Sequence, residues 1–172
     1  MKILITGSNG MLGSSLCQLY NRDNKVFALH RNNKCFTVCN EDYSFDSSPS
    51  VIEVDFDLVL NNLNLSVLNG KVIQIWGFCV LDKSNTTNFD VPNYKSGALN
   101  IVDSFKQGHA YAINNVELII TINHHRRWIC VGDPSVKDNG VEFMKNCIAV
   151  INENGQLVAL WIKPNNWPKS LA

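Results

Sequence analysis

The sequence predicts an α/β fold: a short parallel sheet at the N-terminus, followed by an antiparallel, β-rich C-terminal part. Three observations predict it. Residues 3–6 are a short apolar run ending on a glycine turn, the pattern of a buried parallel strand. Met11, Leu12, Leu16, Leu19 and Tyr20 then recur at helical spacing, which predicts a helix over residues 11–21. Beyond residue 108 the texture changes to strand-like stretches separated by turn residues.

Taken in order, Asn21-Arg22-Asp23-Asn24 stops the helix and residues 25–29 form the second strand. Residues 35–39 read as a short third strand, 57–60 as a fourth and 72–76 as another. Strand, helix, strand at the start is a βαβ unit, which forces parallel pairing and a right-handed crossover. Residues 98–105 are helical by pattern, and 116–122, 128–131, 148–152 and 157–162 are strand-like. Asn152-Glu153-Asn154-Gly155 is a hairpin turn, because asparagine and glycine tolerate positive φ. The tail over 164–172, with two prolines and two adjacent asparagines, reads as loosely held. The expected division is a shortened nucleotide-binding region over 1–108 and a β-rich part over 109–172. No internal repeat is evident, and the abundance of asparagine reads as a compositional bias.

A chain of 172 residues suits one domain, or one domain and a small appendage. Fifteen basic and fifteen acidic residues leave no net charge to attract nucleic acid or an anionic membrane. No apolar run approaches the ~20 residues that span a bilayer. Met-Lys followed at once by a strand lacks a signal-peptide pattern, so the expected location is cytoplasmic. Cys17, Cys35, Cys39, Cys79, Cys130 and Cys147 are irregularly spaced, with no Cys-x-x-Cys and no zinc set, and read as reduced, buried thiols. His124-His125-Arg126-Arg127 is the one concentrated basic cluster and reads as a solvated turn.

The segment Thr6-Gly7-Ser8-Asn9-Gly10-Met11-Leu12-Gly13 carries the chemistry. Gly7 allows the tight turn out of the strand. Gly10 removes the Cβ that would block a pyrophosphate, and Gly13 lets the expected helix pack on the sheet. Free N–H groups of the first helical turn would then face the phosphates, aided by the helix dipole. This is the fingerprint of a Rossmann-like dinucleotide site. The second strand ends in His30-Arg31 where NAD binders place a carboxylate, so Arg31 favours a 2′-phosphate and NADP over NAD.

Residues 1–16 (MKILITGSNGMLGSSL) and 25–31 (KVFALHR) resemble the start of the extended short-chain dehydrogenase/reductase family. Within it they are most similar to dTDP-4-dehydrorhamnose reductases and sugar-nucleotide epimerases. The resemblance extends more loosely to residue 62, through Asp42-Tyr43-Ser44-Phe45-Asp46 and through Phe56-Asp57-Leu58-Val59-Leu60-Asn61-Asn62. It implies that Asp46 lies near the adenine and that Asn61 closes the fourth strand. The implied cofactor-binding set is therefore Gly7, Ser8, Asn9, Gly10, Met11, Leu12, Gly13, Arg31, Asp46 and Asn61. The implied activity is hydride transfer between NADPH and a sugar-nucleotide carbonyl.

The chain departs from the family beyond residue 62. Residues 63–70 are too few for the crossover helix, and Trp76 and Gly77 stand where the family has a catalytic hydroxyl. The family also needs a tyrosine and a lysine four apart on one helix face. Here Tyr20, Tyr43, Tyr94 and Tyr111 are followed at that spacing by Asn24, Ser47, Ala98 and Asn115. No catalytic residue is assigned. Three readings stay open: a reductase, a non-catalytic nucleotide-binding or regulatory module, and a truncated or rearranged reductase. The sequence assigns no oligomeric state.

Overall fold

The computed structural model describes residues 2–6, 25–29, 36–48, 53–81, 84–86, 88–113 and 117–172. The chain divides into two compact units, Met1–Lys34 and Cys35–Ala172, and the expected division after residue 108 falls inside the second. In the first unit, β1 (Lys2–Thr6) and β2 (Lys25–Leu29) pair parallel, from Lys2↔Lys25 to Thr6↔Leu29. Both strands coincide with the apolar runs. The helix expected over 11–21 lies outside the described residues.

The second unit contains β3 (Phe36–Cys39), β4 (Ser44–Ser48), β5 (Phe56–Leu60), β6 (Leu63–Leu68) and β7 (Lys71–Phe78). Three short strands follow: β8 (Asn85–Thr86), β9 (Tyr94–Ser96) and β10 (Ala110–Ala112). Then come β11 (Ile120–Asn123), β12 (Trp128–Gly132), β13 (Gly140–Met144), β14 (Cys147–Ile151) and β15 (Leu157–Ile162). One sheet runs β10-β5-β6-β7-β4-β3 and the other β8-β11-β12-β15-β14-β13-β9. Only the short β8, β9 and β10 join their neighbours in parallel.

The α/β expectation is overturned: the described residues are almost all β, arranged in two mixed sheets. The run over 57–60, read as a buried parallel strand, is one arm of an antiparallel hairpin, Leu60↔Leu63. The cause lies in the turns. Asn61, Asn69, Asn139 and Asn146 are four of the six described non-glycine residues with positive φ. Asparagine tolerates that conformation, so Asn61-Asn62 and Asn69-Gly70 close two-residue hairpins. Part of the apparent asparagine bias is therefore turn chemistry. The helix expected over 98–105 is also absent. Val72 donates its N–H to the Leu99 carbonyl at 3.0 Å, and Ile101 donates to Gly70 at 2.8 Å, so this segment lies extended along the start of β7.

The second unit is a duplication, which corrects the reading of no internal repeat. Strands beginning at residues 36, 44, 56 and 63 recur at 120, 128, 140 and 147, a constant offset. Both sets share one sheet order, β3-β4-β7-β6-β5 against β11-β12-β15-β14-β13. The registers match along the inner strands, β6 with β7 and β14 with β15, and differ by one residue at β3–β4 against β11–β12 and beyond the Glu142/Met144 bulge of β13. Leu60↔Leu63 corresponds to Met144↔Cys147, Phe45↔Gly77 to Ile129↔Ile162, and Leu65↔Ile75 to Ala149↔Leu160. Even the bulge recurs, after Ser66 in one motif and after Val150 in the other. Few identities mark it: Thr37 and Thr121, Asn62 and Asn146, Asn69-Gly70 and Asn154-Gly155, Trp76 and Trp161. The two copies share strand order and the burial of their inner faces far more than residue type.

The inner faces of the two sheets build one core. Phe45, Leu60, Leu63, Leu65 and Ile75 of the first motif meet Ile129, Leu160 and Ile162 of the second in a single cluster. Thr37 Oγ1 lies 3.3 Å from Cys147 Sγ across it. The second sheet is buried on its outer face too, where Trp128, Cys130, Ile148, Val150 and Trp161 pack under Val91 and Val136. This explains why every residue of β12 is buried. Cys39, Cys79, Cys130 and Cys147 are buried thiols outside any disulfide, as expected of them. Burial pushes the thiols of Cys39, Cys79 and Cys130 up to about 12, so they stay protonated and unreactive at neutral pH.

The tail, expected to be loose, is docked. Asn165 donates its backbone N–H to Thr37 O at 2.9 Å, Asn166 Oδ1 accepts from Cys39 N at 2.9 Å, and Asn166 Nδ2 donates to Cys39 O. Trp167 Nε1 and the Lys169 N–H are bonded as well, to Leu171 O and the Glu41 carboxylate. The tail thus covers the open edge of β3, which would otherwise present unpaired backbone groups. Asn166→Ala should lower stability by ~1–2 kcal/mol and speed amide exchange at Cys39, read by hydrogen exchange. Unchanged exchange there would mean that the tail does not protect the edge.

Candidate binding cleft

A cleft of about 440 Å³ opens at one end of the second unit, within the range of small-molecule sites. Its floor is the inner face of the first motif, at Leu58, Leu65 and Val72. Its walls come from the second motif's hairpin, at Ile151 and Leu157, and from the connection between the motifs, at Leu99, Ile101, Phe105, Ala112 and Ile113. Phe105 is fixed between Phe56 and Tyr111, with ring centroids 4.9 and 4.6 Å away. The Tyr111 hydroxyl accepts the Lys106 N–H at 3.0 Å, which pins that wall.

Polar groups line the cleft at Asn100, Asp103, Asn152 and Gln156. Asn152 organises the β14–β15 turn: its Oδ1 accepts from Asn154 N at 3.0 Å and from Gln156 N at 2.9 Å. Its Nδ2 donates to Gln156 Oε1 at 3.0 Å, which leaves the Gln156 NH₂ as a donor beside the cleft. Amides neither titrate nor attack. Among the described lining residues Asp103 is the one ionisable side chain, beside the amides of Asn100, Asn152 and Gln156, which can bind and orient a ligand.

Of the residues singled out in the sequence, Gly7, Ser8, Asn9, Gly10, Met11, Leu12, Gly13 and Arg31 lie outside the described residues. Asp46 is exposed on β4, where Asn40 Nδ2 approaches its Oδ2 at 3.4 Å. Asn61 occupies the β5–β6 turn with φ 53°. Its Nδ2 donates to Leu118 O at 2.9 Å and its Oδ1 accepts from Leu118 N at 2.8 Å. Asp46 lies within β4 and Asn61 in the β5–β6 turn, with β7 between β4 and that hairpin. Asn61→Ala should cost about 2 kcal/mol in urea unfolding, because it strains the turn and strips two bonds from Leu118. Asn61→Gly keeps the turn and should cost less; equal costs would refute the turn contribution.

The basic cluster forms the β11–β12 turn and is exposed, with Arg126 paired to Asp90 at 2.6 Å and His124 Nδ1 3.0 Å from Leu171 O. Among the described residues no three His, Cys, Asp or Glu side chains gather as a metal set. No described helix is long and apolar enough to cross a membrane. Sequence reasoning missed the cleft because its walls lie in the segment read as helical; the signal was there in the i, i+2 spacing of Leu99 and Ile101. No protein-family model matches the chain, and no curated protein matches it.

Proposed function

We propose that the chain is a ligand-binding protein whose β body takes a small, largely apolar molecule into the cleft. The observation that carries this reading is the lining, an apolar floor and walls with amide donors and acceptors beside them. A ligand with a hydrocarbon body and one hydrogen-bonding group complements it. The neutral fluorescent probe N-phenyl-1-naphthylamine tests it. Saturable binding is expected, weakened at least about tenfold in Ala112→Trp, which fills the cleft from the exposed edge strand β10. Absence of saturable binding, or equal binding by a folded Ala112→Trp, would contradict the reading.

A second reading concerns the first unit. The parallel pairing of β1 and β2, with the glycine pattern in the sequence between them, supports binding of NADP phosphates. NADPH should raise the melting temperature more than NADH, and Gly10→Val should remove the effect. No shift with either cofactor would reject it. Oxidation of NADPH on adding a dTDP-4-keto sugar would extend binding to the reductase activity that the resemblance implies.

A further inference from the structure

The two motifs keep one tryptophan at equivalent outer-face positions but surround it differently. Trp161 is 0% exposed, packed edge-on by Trp128 among Cys130, Ile148, Val150 and Ala159. Its counterpart Trp76 is 39% exposed. The registers place Ser44, Asp46, Asn64, Ser66 and Gln74 where the second motif has those five apolar residues. The indole is kept while each of these five positions carries a hydrogen-bonding group.

Trp76 is also held in place. Its Nε1 donates to Ser66 Oγ at 2.9 Å, and Ser66 Oγ donates to Asp57 Oδ1 at 2.6 Å. In the second motif Val150 replaces Ser66, and the Trp161 Nε1 is left without a partner. The relay therefore belongs to the open face, where it ties the ring over β6. Phe78, 40% exposed, lies two residues further along the same face, about 7 Å away at strand spacing.

We propose that this face binds a neutral saccharide, one pyranose ring stacked on Trp76 and the next toward Phe78. The C–H bonds of a pyranose carry partial positive charge and meet the electron-rich face of an indole. The amides of Asn64 and Gln74 and the carboxylate of Asp46 match ring hydroxyls, which both donate and accept. Asp46 and Asp57 make the same face unfavourable for a phosphate-bearing ligand, which favours sugar over nucleobase stacking.

Affinity electrophoresis of the full chain through native gels containing hydroxyethylcellulose, glucomannan or xylan tests this. Retardation in at least one gel is expected, weakened about tenfold in Trp76→Ala and in part restored by Trp76→Phe. Asn64→Ala, a milder change beside the ring, should also weaken it, and near-ultraviolet circular dichroism establishes that each variant is folded. N-phenyl-1-naphthylamine binding should be unchanged in Trp76→Ala, which separates this face from the cleft. No retardation in any gel, retardation unaltered in folded Trp76→Ala, or binding of oligo(dT) in its place would overturn the proposal.

Discussion

Gly132→Ala is expected to destabilise the second unit by about 3–5 kcal/mol, the sum of backbone strain and a forced overlap. Gly132 ends β12 with φ 121°, a conformation that side-chain-bearing residues avoid. An added Cβ would lie 2.8 Å from Ala159 Cα and closer still to the Val158 carbonyl oxygen, both on the paired strand β15. Neither is a flexible side chain that can give way. Gly155 is the control: φ is 78° there, but nothing lies within 4 Å of an added Cβ, so alanine should cost only ~1 kcal/mol. Urea denaturation reads both. A cost at Gly132 no larger than at Gly155 would mean that the β12–β15 pairing is not as described.

The second large effect follows from the common core. Ile75 and Leu160 occupy equivalent positions in the two motifs and both are fully buried in one cluster. Each cut to alanine should cost about 3 kcal/mol, the lost transfer energy plus an unfilled cavity. Against a net stability of roughly 5–15 kcal/mol that is a large fraction. The shared core adds a sharper expectation: Leu160→Ala should raise amide exchange in β5–β7, and Ile75→Ala should do so in β12–β15. Motifs that melted separately, each variant perturbing only its own sheet, would contradict a shared core.

The sequence was most legible where one face of a strand is apolar and the turn is unmistakable. Residues 57–60, 72–76, 128–131 and 157–162 were read as strands and are strands, and the Asn152–Gly155 turn closes the β14–β15 hairpin. Pairing direction was not legible. A buried run such as Leu58–Leu60 has the same pattern in a parallel sheet and in a sandwich core, and only the turn decides. Asn61-Asn62 and Asn69-Gly70 are the deciding turns. The repeat was hidden because strand order and central register persist where residue types do not: Ser66 and Val150, or Gly77 and Ile162, are equivalent in position and unlike in chemistry. The resemblance implies cofactor binding at Asn61; the structure gives it a turn and a clamp on Leu118.

The duplicated sandwich is tested most directly by through-space proton contacts in solution. The account predicts contacts between the Thr37 and Cys147 side chains, together with matching cross-strand sets at Leu60–Leu63 and Met144–Cys147. Parallel-sheet contacts joining residues 36–39 to 56–60, with helical contacts through 98–105, would contradict it.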